Sequence, residues 1–202
     1  LQGFSFAQKD WELACDNTGT CRAAGYGDRM GEVSVLLTRN AGSEQHPTAT
    51  VTFAQIEHDI PADSTASLLI DDRDLGSLDA VDDSHFRLDS DQTSAVLQAL
   101  ANQRKIEFAL NGQHMLLSSA GSREVLRKMD AFQRRTGTAD ALLDKGDAGD
   151  DAILPAAPAP EIIAAPVIHN AQPVPLNMLQ RQKLLPSLTP LLNQRCEDWQ
   201  NP

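Results

Sequence analysis

The stretch Asp82-Asp83-Ser84-His85 puts two carboxylates, a hydroxyl and an imidazole at consecutive positions. These are the groups of a nucleophile, a base and the acid that orients the base. Neighbours in sequence rarely face one another in such a triad, and neither a G-x-S-x-G elbow nor an oxyanion loop accompanies them. An acidic loop is therefore the expectation there, and no catalytic residue is assigned.

A second acidic run, "IDDRDLGSLDAVDD", offers Asp71, Asp72, Asp74 and Asp79 as oxygen donors of the kind hard cations take. An EF-hand needs acidic or amide side chains one, three and five places along, with glycine at six. Counting from Asp71 to Gly76, Arg73 and Leu75 stand at two of those places, so the match fails. The four aspartates remain a candidate set for a looser metal site, set against an ordinary solvated turn. The glycines of "AAGYGDRMG" follow neither the phosphate-loop nor the dinucleotide pattern, so no cofactor is expected.

The chain has three cysteines. Cys15 and Cys21 flank "DNTGT", whose Asn17 and Gly19 suit a tight loop. Before it, Trp11, Leu13 and Cys15 alternate with Glu12 and Ala14, the period of a half-buried strand. Symmetric pairing around the loop sets Cys15 against Cys21, Leu13 against Ala23 and Trp11 against Gly25. Opposed cysteines of an antiparallel pair lie within disulfide range. A zinc site would want four ligands and a thioredoxin-like site C-x-x-C, so the spacing favours a structural disulfide over metal or redox chemistry. A lasting disulfide implies an oxidising compartment, periplasmic or secreted. Cys196 is left unpaired.

The elements that must carry these residues follow from periodicity. Strands are expected over Val33–Thr38, Thr48–Phe53 and around Leu68–Ile70, the last followed by a polar turn region from Asp72 to Phe86. A helix is expected from about Asp91, its N-cap, to Gln103, with Val96, Leu97, Leu100 and Ala101 on one face. Asn111-Gly112 marks a type I′ hairpin that pairs Phe108 with Met115 and Ile106 with Leu117. A second helix is expected over Ser122–Thr136, with Arg134 and Arg135 at its negative end and Gly137 as its stop. "TADALLDKG" reads as a short helical turn. Helices set among antiparallel strands give an α+β fold: an antiparallel sheet with two packed helices and an N-terminal disulfide hairpin.

Three regions are expected: an α+β domain over 1–146, an Ala/Pro-rich linker over 147–175, and a helical start of a second, truncated domain over 176–202. Hydrophobic residues make up 41% and aromatics 4%, so the core must rest on Leu, Val, Ile and Ala. The formal net charge of −11 repels phosphate backbones and argues against a nucleic-acid partner. No stretch approaches the roughly 20 apolar residues of a membrane helix, so no transmembrane segment is expected. The start at Leu1 is the expectation for a chain whose secretory signal has been removed.

Lys9-Asp10-Trp11-Glu12 with Cys15 and Cys21, the strand, helix, hairpin, helix order through Gly137 and the Pro/Ala tract together resemble a bacterial secreted family known only as a domain of unknown function, number eleven seventy-six. The tryptophan-plus-cysteine opening and the helix, hairpin, helix close are also distantly similar to the invasion-associated locus B family. The resemblance implies an exported protein of Gram-negative bacteria with a second cysteine-containing domain after the linker. It carries over no catalytic residue. The expected function is a non-catalytic binding or interaction module of the bacterial envelope, inhibitor-like or host-interacting, with a protein or envelope component as partner. The alternative is a periplasmic hydrolase completed by the missing C-terminal domain.

Overall fold

The computed structural model describes residues 1–28, 32–54 and 64–159. Cys196, most of the expected linker and the whole 176–202 region lie outside them.

Eleven strands and two helices make up the described chain. The strands are β1 (Phe4–Gln8), β2 (Trp11–Cys15), β3 (Cys21–Tyr26), β4 (Val33–Arg39), β5 (Thr48–Phe53), β6 (Ala66–Ile70), β7 (Arg73–Ser77), β8 (Asp79–Ala80), β9 (His85–Arg87), β10 (Ile106–Leu110) and β11 (Gln113–Leu117). The helices are α1 (Ser90–Ala101) and α2 (Ser122–Phe132). A seven-stranded sheet runs β1-β2-β3-β4-β5-β9-β8 and a four-stranded sheet β11-β10-β6-β7. Every paired strand is antiparallel to its neighbour. Helix α2 lies against β1, β2 and β3, and α1 against β5, β6 and α2. The fold is α+β, mostly sheet.

Strands β2 to β5 of the large sheet alternate buried and less buried positions, because side chains point to opposite faces in turn. The inward set Leu13, Ala23, Val35, Leu37, Val51 and Phe53 merges with Leu68, Ile106 and Phe108 of the small sheet and with Val96, Leu100, Leu126 and Met129 of the helices. One core therefore serves both sheets.

The clasp has the register its spacing predicts: Trp11 faces Gly25, Leu13 faces Ala23, and Cys15 faces Cys21 in a disulfide. By loop-closure entropy such a short cross-link contributes about 2 to 2.5 kcal/mol. Gly25 is required by contact: a β-carbon there would sit 2.3 Å from the Trp11 ring. The indole covers bare backbone and donates from Nε1 to the Ser118 carbonyl at 2.7 Å, joining the clasp to the end of β11. The Asn-Gly hairpin also matches, with Asn111 and Gly112 both at positive φ and Phe108 opposite Met115.

Other expectations are corrected. The polar turn region from Asp72 to Phe86 contains β7, β8 and the start of β9. Its Asp and Ser residues hide the strand pattern, since only Leu78 and Phe86 of that stretch are buried. Strand β1 was not expected, and it pairs with β2 along its whole length. The cap of α1 is Asp89, not Asp91: its carboxylate accepts from the Gln92 amide while the Gln92 side chain accepts from the Asp89 amide. Helix α1 stops at Ala101 rather than Gln103, which has positive φ, and α2 stops at Phe132. Arg134 has positive φ, and Arg135 turns inward instead of standing at the helix end. The stretch from Thr138 to Gly146 forms turns, not a helix, with Thr138 bridged to Ala148. Residues 147–158 lie within the compact unit Leu1–Pro158.

Candidate functional site

Asp82, Ser84 and His85 do come together, on the β8–β9 turn, but not as a relay. Asp82 Oδ1 lies 2.7 Å from His85 Nδ1, and Ser84 Oγ lies 3.1 Å from the same nitrogen. A triad needs its acid on one ring nitrogen and its nucleophile on the other. Here both contend for Nδ1, which cannot donate to the carboxylate and accept from the hydroxyl at once. The Asp82 carboxyl is held down to about 2, first by the Ser84 backbone N–H and next by His85. It is the acceptor of a tight turn, also bound by the His85 amide at 2.9 Å. Asp83 takes no part in these contacts.

The four candidate metal-ligating aspartates go separate ways. Asp71 accepts from Arg104 Nε at 2.6 Å and from the Lys105 amide at 3.1 Å, which lowers its carboxyl below the ordinary range, Arg104 being the main cause. Asp72 meets Lys105 Nζ at 2.8 Å, and Asp74 accepts from the Gly76 amide at 2.8 Å. Asp79 sits on the short strand β8. Among the described residues no three His, Cys, Asp or Glu side chains converge as metal ligands would. Asp71 and Asp72 instead neutralise the cations at the entrance to β10.

A broad concavity lies on the outer face of the large sheet. It is an open trough of about 510 Å³, within the range of ligand-sized clefts. Register builds it: Ser5 stands beside Ala14 and Ala14 beside Arg22, while Ala7 stands beside Glu12, Glu12 beside Ala24 and Ala24 beside Leu36. Small side chains at Ala7, Ala14 and Ala24 form the floor. Glu12, Arg22 and Leu36 rise around it, with Leu36 42% exposed. Tyr26, 38% exposed, donates its hydroxyl to Glu12 at 2.5 Å. That bond raises the phenol's pKa above the ordinary tyrosine value, with burial and the Glu12 charge adding to it. Arg22 meets Asp16 at 3.2 Å. The alternation of these strands was legible, but the trough was not, because it needs the cross-strand register of four strands at once.

A buried polar network behind the clasp was also missed. Arg39 Nη2 meets Asp130 Oδ1 at 2.7 Å, with the two side chains 0% and 2% exposed. Arg39 Nε donates to Gln133 Oε1 at 2.6 Å, and Gln133 Nε2 donates to the Gly19 and Arg39 carbonyls at 2.8 and 2.9 Å. Burial lowers the Arg39 pKa and the Asp130 charge opposes that. Asp130 Oδ2 accepts from the Leu142 amide at 2.7 Å, so one carboxylate ties β4, α2 and the segment after it. Arg135 donates to the carbonyls of Gly42, Ser43 and Gln45, holding the β4–β5 loop. In the sequence Arg39 stands at the end of a strand pattern and Asp130 within a helix, with nothing local to mark them as partners.

No described helix is long and apolar enough to cross a membrane. A family model described as "Protein of unknown function (DUF1176)" matches residues 5–201. The chain is 29% identical over 185 residues to the uncharacterized protein YpfG of Escherichia coli (strain K12), a match covering 89% of this chain and 51% of YpfG. The chain thus spans about half the length of that curated relative. Among solved structures it is similar to invasion associated protein b from Bartonella henselae, at a TM-score of 0.43 and 13% identity, over 65% of this chain and 99% of that one.

Proposed function

The chain belongs to the DUF1176 family of proteins of unknown function, and from that premise we propose that it is an exported binding module of the bacterial envelope that acts without catalysis. The observation that carries this reading is the outer-face trough. It is wide, open, floored by alanines and rimmed by one acid, one base and one exposed leucine, a surface for contact rather than an enclosed site for chemistry. The Cys15–Cys21 disulfide supports an oxidising compartment, periplasmic or secreted. The shared Nδ1 contact of Asp82 and Ser84 argues against the hydrolase alternative. The partner on this reading is a protein or another envelope component.

The test is affinity capture from a periplasmic extract with the full chain, run beside an Ala14→Arg, Ala24→Arg variant that fills the trough floor. A partner held by the wild type and released by the variant supports the reading; one held equally by both removes the trough from it. Treatment with a fluorophosphonate probe checks the alternative. Covalent labelling of Ser84 would restore the hydrolase and overturn a non-catalytic module.

A further inference from the structure

Residues 150–157 do not leave the domain as a free chain. After a 3-10 turn at Asp150–Ala152, Ile153 is buried at 6% exposure and Leu154 is half-buried. The backbone of Leu154 is bonded on both sides: its N–H donates to the Gln133 carbonyl at 3.0 Å, and its carbonyl accepts from the Gly42 N–H at 3.0 Å. The Leu154 side chain lies over Gly19 of the disulfide turn, where a β-carbon would fall 2.6 Å from Leu154 Cδ2 and 2.8 Å from Ala41 Cβ. Pro155-Ala156-Ala157-Pro158 continues from there, with Ala156 beside Gly42.

These are the contacts by which a groove binds an extended peptide: paired main-chain bonds for affinity, side-chain seats for selectivity, and a proline-stiffened continuation that costs little entropy to order. The walls are themselves rigidly held. Gln133 Nε2 donates to the carbonyl of Gly19, Arg135 donates to the carbonyl of Gly42, and the disulfide closes the turn. We infer that the groove between the disulfide turn, the β4–β5 loop and the end of α2 is a binding site for extended peptides of apolar-apolar-proline sequence, occupied in this chain by its own Ile153-Leu154-Pro155. The strap is then an internal occupant that a partner segment of the same chemistry must displace. This rests on the binding-module reading and names a second, peptide-binding site for it.

The experiment uses the full chain with Ile153→Ser and Leu154→Ser, which unseats the strap, and a labelled synthetic peptide of residues 150–158 as the probe. Fluorescence anisotropy is expected to show saturable binding to the variant. Binding to the wild type is expected to be at least about tenfold weaker, because the tethered strap competes at millimolar effective concentration. A probe carrying serine in place of leucine is expected to bind at least about tenfold more weakly, from the loss of one seated aliphatic side chain. Absence of binding by a variant with wild-type circular dichroism, or equal binding of both peptides, overturns the inference.

Native-state hydrogen exchange on the unaltered protein guards against a variant that does not fold. The Gly42 and Leu154 amides should exchange together, and faster than those of Leu37 and Val51. Exchange only with the core would mean that the strap never leaves as a unit, which also overturns it. A failed peptide titration beside a successful trough-dependent capture removes this groove and leaves the module.

Discussion

Replacing Asp130 with alanine tests whether the buried network holds this fold together. Arg39 and Asp130 have side chains 0% and 2% exposed, so truncating the acid strands a guanidinium out of water. Breaking a buried pair from one side costs about 3 to 5 kcal/mol. The Leu142 amide, 2.7 Å from Asp130 Oδ2, also loses its acceptor, and an orphaned donor adds about 1 to 3 kcal/mol where water cannot reach it. Leu142 is only partly buried, so the lower end applies to its amide and the expected loss is about 4 to 6 kcal/mol. That is about a quarter or more of the roughly 5 to 15 kcal/mol a domain of this size holds. The assay is urea unfolding of the disulfide-intact chain followed by far-ultraviolet circular dichroism. The double change Arg39→Met with Asp130→Leu removes both charges and should recover at least about half of the loss, since a volume-matched apolar pair avoids the stranded ion. A single-variant loss under about 1.5 kcal/mol, or a double variant as unstable as the single, would refute the account of Arg39 as a charge that needs this partner.

Two further outcomes are expected. Gly25→Ala places a methyl 2.3 Å from the Trp11 ring and should cost at least about 2 kcal/mol while breaking the indole bond to Ser118; in a Trp199→Phe background, unchanged tryptophan fluorescence and unfolding midpoint would contradict the packing. Tyr26 is the chain's one tyrosine, so phenolate absorbance reports it alone. Its midpoint should lie above the ordinary value of about 10 and fall toward it in Glu12→Gln, the Glu12 hydrogen bond being the main cause of the shift. Because the folded value is raised, the associated stability is present below the ordinary tyrosine value and is lost as pH rises through the folded one. A midpoint at the ordinary value, or one indifferent to Glu12→Gln, would count against the bond.

Local patterns and tertiary contacts divided the information unevenly. Where apolar alternation flanks a recognisable turn, the sequence carries the hairpin, because two such strands joined by a short turn have one sensible register. The Cys15–Cys21 loop and Asn111-Gly112 each set a pairing that the structure reproduces residue for residue. Strand β1 and strands β7 to β9 were less legible. Their side chains are mostly exposed, and backbone pairing with neighbours makes them strands without an apolar stripe to announce it. The capping of α1 was displaced by two residues because Ser90 and Asp91 are also good caps in isolation. The reciprocal bond from Gln92 decides for Asp89.

The cluster at Ser84-His85 shows the same division in chemistry. Its composition was visible in the sequence, while the ring nitrogen that each partner reaches depends on the turn geometry and the χ angles it permits. By itself, then, the sequence determined the clasp, the two helices, the Asn-Gly hairpin and the acidic charge, which rest on composition or on interactions within a few residues. Only the tertiary structure decided that Arg39 meets Asp130 across 91 positions, that three alanines from three strands floor a trough, and that Leu154 returns to the disulfide turn. Such contacts are selected by the burial of the whole core, and no local propensity records them.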